Sequence, residues 1–581
     1  MNMYMVLKVT RQSKNSHCAV FLDMDKKYKV HLCGNLPDLY NGMFIKLEVQ
    51  KGEKVVEDYE LTLTEKNLKI LEKNEVNIEE YSRTLEAHSR LKSKGISWYI
   101  ASSDNSEEGN VYDRLPFSEA DKVHKEMVDN PKDESRLRAI NREIVEEARR
   151  DRKIEYAIQE YFSYFDDVES EGAYQHLMLS VKALCLQAKT FGFKNGKILD
   201  NEMKAKEAFV NENIRERIKG GFQICTKKEI AEFVQSVKGG MLCQEQIDTI
   251  WCLEGSYPNI ITGGAGVGKT SVIKAIIDCY AKFYNTNNIL LVAPTGKASR
   301  RLTEKTHLPA KTIHAALRKS PEDNYIHFTD TNPLPCKLVI IDESSMIDTA
   351  LMYDLLKAVP KTAKIIFVGD HNQLYPVGYG EPFFEFLDLF KQFDLVYYLK
   401  ENHRQEEGTD ILEAATNVLN NAPIWCGRGV LVKEIEWEEM GDIFEENNFD
   451  EGSSVQIISP FNALNAKINA HLRKGNYPFN VGDKIMTVKN TENYCNGDIG
   501  YVTKIDPLKY TMTINIEGKS IDITEKHMQE VTLAYAITVH KMQGSEAEKV
   551  IVFLPKNKNI DKRMLYTAVT RARKELEIYY Y

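Results

Sequence analysis

Eight consecutive residues, Gly263, Gly264, Ala265, Gly266, Val267, Gly268, Lys269 and Thr270, follow the apolar run Asn259-Ile-Ile-Thr262 and precede Ser271-Val-Ile-Lys-Ala-Ile-Ile277. Strand, glycine-rich turn and helix in that order make a phosphate-binding loop. The glycines let successive backbone N–H groups turn inward at a helix N-terminus and cradle phosphates. Lys269 is placed to reach the β- and γ-phosphates, and the Thr270 hydroxyl to ligate Mg²⁺. A plain glycine turn is the competing reading, but it leaves the filled positions Gly268, Lys269 and Thr270 unexplained. Residues 263 to 271, Ser271 included, are the expected contacts of a bound nucleotide, either ATP or GTP.

A second cluster, Leu338-Val-Ile-Ile-Asp342-Glu343-Ser-Ser-Met346, sets two carboxylates at the C-terminal end of a buried strand, where α/β sheets keep their ligand sites. Asp342 is expected to hold Mg²⁺ through water and Glu343 to polarise an attacking water. An isolated Asp-Glu pair is usually a solvated turn. Four apolar residues before it and a complete phosphate loop upstream argue for the catalytic reading.

The elements that must position these groups follow from patterning. Residues 236 to 581 alternate short, continuously apolar runs with amphipathic segments. The first series is Asn259–Thr262, Ile289–Ala293, Leu338–Ile341, Lys364–Val368 and Leu395–Leu399; the second is Val455–Ser459, Val531–Ala536, Val550–Leu554 and Leu576–Tyr580. Such runs suit strands buried on both faces of a parallel sheet, so two tandem α/β domains are expected, at 236–405 and 406–581. Hairpin-like pieces with Gly turns at 478–530 read as a small inserted β-barrel. Residues 1–75 alternate apolar and polar stretches between Gly, Asn, Asp and Pro, as a five-stranded β-barrel would. Residues 76–235 read as a helical domain, with helical spacing clearest over 137–162; Ser102–Asn110 reads as an exposed loop.

Composition sets outer bounds. A chain of 581 residues with 43% hydrophobic content can bury several cores. A net charge of −9 speaks against bulk coating of nucleic acid yet leaves room for a narrow basic channel. Much of the acidity is local, with nine carboxylates and no basic residue between Glu434 and Glu451. The ten cysteines form no Cys-x-x-Cys pair, which indicates neither a zinc ribbon nor a disulfide frame. No run of about 18 apolar residues and no signal-like N-terminus occur, so a cytoplasmic protein without a membrane partner is expected.

Beyond these residues the chain resembles a known family. Gly369-Asp-His-Asn-Gln373-Leu-Tyr-Pro376 is similar to a γ-phosphate-sensing segment of superfamily 1 helicases, and glutamine suits that task because it hydrogen-bonds phosphate and water without adding charge. The rest of the family's ordered set has matches. Leu242-Cys-Gln-Glu-Gln246 resembles its glutamine segment, which implies that Gln246 binds the adenine edge. Asn402-His-Arg404-Gln supplies an arginine similar to the one that approaches the γ-phosphate, and Tyr566-Thr-Ala-Val-Thr-Arg571 one similar to the second domain's arginine finger. Gly544 to Glu546 resembles a nucleotide-contacting turn. Pro294 and Thr295 in Ala293-Pro-Thr-Gly-Lys-Ala298, His314 in Thr312-Ile-His, and Thr538 and His540 in Ala536-Ile-Thr-Val-His-Lys-Met-Gln-Gly-Ser-Glu546 match DNA-contacting segments. Alone, each would read as a strand end or surface residue; their order is what argues for the family.

The wording of these segments looks like the RecD-like branch, whose members move 5′ to 3′. The resemblance implies two RecA-like domains closing on ATP and Mg²⁺, with Lys269, Glu343, Gln373, Arg404 and Arg571 as the catalytic set. It also implies a monomeric motor acting on single-stranded and forked DNA beside replication or recombination proteins. Unwinding, strand translocation without unwinding, and a loading or protein-displacing subunit in replication, recombination or repair stay open. A fused strand-nicking domain finds no paired histidines near the N-terminus. Residues 318–337 could form a strand-splitting pin or a plain connection. Val30-His-Leu-Cys-Gly-Asn-Leu-Pro resembles an OB-type barrel, open between gripping single strands by base stacking and docking a partner.

Overall fold

The computed structural model describes residues 197–581, apart from 221, 321–324, 402–409, 476–477, 492, 507–510 and 557–559. Before that it describes residue 139 and seven strand segments. The chain divides into two units, Met1–Glu202 and Met203–Tyr581.

In the first unit, β1 (Asn2–Ser13), β2 (Ser16–Asp23), β3 (Lys29–Gly34), β4 (Phe44–Gln50) and β5 (Glu53–Asp58) form one antiparallel sheet in the order β3-β2-β1-β4-β5. A second antiparallel sheet joins β6 (Glu155–Ala157), β8 (Lys197–Asp200) and β7 (Phe191–Lys194), in that order. These strands correct the wholly helical reading of 76–235 and put extended backbone inside the helically spaced stretch 137–162. The sequence carried the signal: β7 and β8 flank Asn195-Gly196, the dipeptide that favours a two-residue hairpin turn. The expected loop at Ser102–Asn110 lies outside the described residues.

The second unit opens with α1 (Asn201–Ile218), α2 (Lys227–Val237) and the short α3 (Gln244–Asp248). Val210, Ile214 and Ile218 of α1 and Ile230 and Phe233 of α2 are buried in the cores around the next sheet. Residues from Met203 onward therefore belong with the phosphate loop, and the expected boundary at 235 moves back to about this point. Arg217 fastens α1 there. Its Nη2 donates to Val359 O at 2.7 Å and its Nη1 to Pro360 O at 3.0 Å.

That sheet is wholly parallel. It contains β9 (Asn259–Gly263), β10 (Ile289–Ala293), β11 (Ala310–Thr312), β12 (Leu338–Ile341), β13 (Lys364–Gly369) and β14 (Val396–Leu399), ordered β11-β10-β12-β13-β9-β14. The connections carry α4 (Lys269–Phe283), α5 (Gly296–Thr306), α6 (Ile313–Leu317), α7 (Thr349–Ala358) and α8 (Pro382–Lys391). Successive side chains of a strand point to opposite faces, which is why the runs had to be continuously apolar. Val339, Ile341, Ile365 and Phe367 enter one core, while Leu338, Ile340, Ile366 and Val368 enter the other.

A second parallel sheet follows: β15 (Val430–Glu434), β16 (Val455–Ser459), β22 (Ala536–Thr538), β23 (Ala547–Leu554) and β24 (Ala572–Tyr580), ordered β15-β24-β23-β16-β22. Its helices are α9 (Ile411–Leu419), α10 (Met440–Glu446), α11 (Asn462–Leu472) and α12 (Lys562–Val569). Between β16 and β22, β17 (Lys484–Thr487), β18 (Ile499–Asp506), β19 (Thr511–Ile516), β20 (Lys519–Thr524) and β21 (Val531–Leu533) build an antiparallel sheet ordered β20-β19-β18-β17-β21. The run Val531–Ala536, expected as one strand, thus serves two sheets. Val531–Leu533 pairs antiparallel with β17, and Ala536–Thr538 parallel with β16. Within 318–337 the described residues hold a single antiparallel bridge, Lys319 to Ile326, and an exposed Tyr325.

Candidate functional site

Three adjacent strands at the middle of the first sheet, β12, β13 and β9, end at the segments marked for phosphate chemistry. In the loop after β9, Gly266 and Gly268 adopt φ of 84° and 80°, a region costly for residues with a Cβ. A Cβ on Gly263 would lie 2.6 Å from Leu399 O. Lys269 Nζ donates to the carbonyls of Gly263 and Gly264, each at 2.7 Å. The ammonium therefore rests in its own loop, where phosphate oxygens can take over from these carbonyls. Gln246 is buried, donating from Nε2 to Val267 O at 3.2 Å and accepting the Cys243 N–H at 3.2 Å. The structure thus uses this amide to brace the loop, with both its ends engaged.

After β12, Asp342 accepts the Glu343 N–H at 2.9 Å. Burial, then the neighbouring Glu343, push the Asp342 carboxyl up to about 7, against the pull of Lys269 and Arg301. Glu343 sits at φ 51°, an uncommon conformation for a residue with a side chain. Its Oε2 is buried without a partner, as is Oε1 of Gln373 after β13. Buried acceptors normally find donors. These two fit the waters of a hydrated Mg²⁺ and an attacking water, with Thr270 and Asp342 the residues that would hold the ion. Gln373 Nε2 faces Asp370 Oδ2 at 3.4 Å. Beside it, His371 Nδ1 and Thr262 Oγ1 are 2.9 Å apart, and burial holds this imidazole below its ordinary range.

The second sheet meets these loops through α12. Tyr566 donates its hydroxyl to Asp370 Oδ2 at 3.0 Å, and Thr567 Oγ1 accepts the Leu374 N–H at 3.1 Å. Arg563 Nη1 donates to His371 O and, at 3.0 Å, to Gln373 O. None of these three was singled out from sequence. Their spacing within Arg563-Met-Leu-Tyr566-Thr567, at i, i+3 and i+4 on one helix face, was the available signal. Arg571 itself is buried against its own domain, donating from Nε to Thr567 O at 3.0 Å and from Nη1 to Ser545 O at 3.2 Å. It must leave these carbonyls to reach a phosphate. Glu546 pairs with Arg301 of α5 at 3.2 Å, and Gly544, at φ 70°, lies against Thr295. Arg404 lies outside the described residues.

The residues assigned to DNA occupy other strands. Pro294 and Thr295 follow β10, His314 lies exposed on α6 after β11, and Thr538 and His540 stand at and just beyond the end of β22. β11 is an edge strand of the first sheet and β22 of the second. Thr295 caps α5 by accepting the Ala298 N–H at 3.3 Å, and Thr538 accepts the Lys541 N–H at 3.3 Å. His540 is half-buried, and that burial lowers its pKa. The inserted sheet leans on the same region: Arg300 of α5 pairs with Asp498 and, at 3.4 Å, with Glu517, while Cys495 fills the space a Cβ on Gly296 would need.

Among the described residues, no helix is long and apolar enough to cross a membrane. Residues 253–379 match the AAA domain family, and residues 533–579 match the UvrD-like helicase C-terminal domain family. The chain is 31% identical over 353 residues to the ATP-dependent RecD2 DNA helicase of Deinococcus radiodurans, an alignment covering 57% of this chain and 48% of that one. It is 29% identical over 426 residues to the RecBCD enzyme subunit RecD of Buchnera aphidicola, covering 55% of this chain and 69% of that one. The crystal structure of the Pif1 helicase from Candida albicans superposes with a TM-score of 0.39 at 17% identity, over 58% of this chain and 94% of that one. The chain thus spans about half the length of the RecD2 relative. The phosphate loop and carboxylates lie inside the first matched family and the Thr538 to Arg571 segments inside the second, and RecD-type relatives align over more than half the chain, so the chain is similar to the RecD-like superfamily 1 helicases.

Proposed function

We propose that the protein is an ATP-dependent DNA helicase that moves 5′ to 3′ along single-stranded DNA and unwinds duplex ahead of it. One observation carries this reading. The buried, unpartnered acceptor of Gln373 lies on the loop after β13 that α12 of the other α/β domain grips directly, and that of Glu343 lies on the loop after the neighbouring strand β12, which supports a nucleotide site set at the domain contact. ATP binds the 263–271 loop, with Lys269 on its phosphates. Thr270 and Asp342 would hold Mg²⁺, which when bound would supply neutralisation of phosphate charge. Glu343 accepts a hydrogen bond from the attacking water, Gln373 orients water and γ-phosphate, and Arg571, joined by Arg404, brings positive charge to the leaving phosphoryl group. Positioning and charge neutralisation suffice for this chemistry, and an arginine supplied this way is worth about 10³ to 10⁵ in rate.

Closing and opening around each ATP shifts the strand between a first grip at Pro294, Thr295 and His314 and a second at Thr538 and His540. The RecD-type relatives support the 5′ to 3′ polarity. The order β3-β2-β1-β4-β5 supports an OB-like barrel at the N-terminus, the 478–530 region acts as a small barrel over the DNA, and residues 318–337 form the strand-splitting pin. The motor works as a cytoplasmic monomer on forked DNA beside replication or recombination proteins. The test is unwinding of 5′-tailed, 3′-tailed and blunt duplexes with ATP and Mg²⁺. Release from the 5′-tailed duplex alone is expected. Release from the 3′-tailed one alone overturns the polarity, and release from none reduces the protein to a translocase or loader.

A further inference from the structure

One face of α12 is given over to the loop after β13. Arg563, Tyr566 and Thr567 stand at i, i+3 and i+4 and so project together. Tyr566 takes Asp370, Arg563 the carbonyls of His371 and Gln373, and Thr567 the N–H of Leu374. The Arg563 guanidinium carbon also lies 4.2 Å from the ring centre of Tyr375 and 4.8 Å from that of Phe384. These two rings meet edge to face at 4.7 Å. From Asp370 to Tyr375 only Asn372 has no such contact with α12. The same Tyr566 hydroxyl stands 3.0 Å from where a Cβ on Gly264 would be, so α12 touches the phosphate loop as well.

Gln373 is the residue whose buried Oε1 waits for a partner, and its own main-chain carbonyl is one of the two that Arg563 holds. We propose that Arg563 is a positioning residue that sets Gln373 through the seating of the second domain, so that hydrolysis proceeds when α12 is docked on 370–375 and stalls when it is not. The inference rests on the helicase reading, and it gives the two domains a direct physical link to the hydrolysis step. Arginine suits the task because its planar guanidinium can donate along its edge to two carbonyls while its face lies on aromatic rings. Lysine carries the charge without the plane. A displacement of about 1 Å at a positioned group can cost about 10²-fold in rate.

The test compares wild type, Arg563→Ala, Arg563→Lys and Tyr375→Leu for ATP hydrolysis with and without an oligothymidylate strand, for binding of a fluorescent ATP analogue, and for thermal melting. Nucleotide affinity and KM within about 3-fold of wild type are expected, with DNA-stimulated kcat lowered about 10²-fold in both Arg563 variants and lowered less in Tyr375→Leu. Unchanged stimulation in Arg563→Ala, full rescue by lysine, or a loss of affinity that matches the loss of kcat overturns the role. If Arg563→Ala does not melt as a folded protein, the lysine and Tyr375 variants decide. A wild type without DNA stimulation sinks the helicase reading and this inference together; a stimulated wild type with an equally stimulated Arg563→Ala sinks the inference alone.

Discussion

Asp342 Oδ1 accepts the backbone N–H of Glu343 at 2.9 Å, while the Glu343 side chain keeps Oε2 buried and unpartnered. Adjacent residues at the end of β12 therefore hold their carboxylates in different states. One is anchored by the main chain, the other buried with an oxygen left unpartnered.

The anchored one has a pH signature. Burial raises Asp342 from 3.8 to about 7 in the metal-free protein. Between those values the folded state holds a proton that the unfolded chain has lost, so this group's contribution to stability falls as pH rises and is least favourable above about 7. Asp342→Asn carries no charge at any pH. Without Mg²⁺ it should melt higher than wild type at pH 8, by about 2–4 °C for each kcal/mol of relieved burial, and show no gain at pH 4. An equal difference at both pH values in calorimetry would mean that burial of the charge is not the cause.

Arg571 and Glu343 should separate binding from turnover. Arg571 now donates to carbonyls of its own domain, so its removal leaves the phosphate loop intact. Arg571→Ala is expected to bind nucleotide within a few-fold of wild type and to lose about 10³ to 10⁵ in kcat. Glu343→Gln should also bind ATP and lose about 10² to 10⁴. Titration with a fluorescent nucleotide beside steady-state hydrolysis checks both, and a variant that fails to bind would move the residue from hydrolysis to ligand capture.

Arg217 tests the seam between α1 and the first sheet. Its guanidinium donates to the carbonyls of Val359 and Pro360, just past the end of α7, and from Nε to Asn213 Oδ1 at 2.7 Å. Hydrogen bonds from a charged donor to a helix C-terminus stabilise by more than neutral ones. Arg217→Ala should cost about 2–3 kcal/mol in urea unfolding; a change below about 0.5 kcal/mol would leave the contact without energetic weight.

How much of this could be read in the sequence differs by element. The strands β9, β10, β12 and β13 were legible because burial on both faces leaves no polar alternative over four or five residues, and the phosphate loop because few residues other than glycine tolerate its backbone. Val531–Ala536 misled because an apolar run does not say which sheet it joins, and here it changes sheets midway. The hairpin of β7 and β8 was passed over among helical patterns although Asn195-Gly196 marked its turn. At the site, Lys269, Asp342, Glu343 and Gln373 stood out by motif. Arg563 and Tyr566 did not, since their importance comes from a loop almost 200 residues away that only the tertiary contact of α12 brings near. Gln246 and Arg571 were singled out by resemblance, yet their present partners, a loop carbonyl and their own domain, were not foreseeable from residue type.

The central claim is that the cleft at Lys269 powers movement on DNA. ATP hydrolysis by wild type and Lys269→Ala, each titrated with single-stranded DNA, tests it most directly. Hydrolysis is expected to rise steeply with DNA in wild type and to be absent in Lys269→Ala at every DNA concentration. Hydrolysis indifferent to DNA in wild type, or equal in the two proteins, would contradict it.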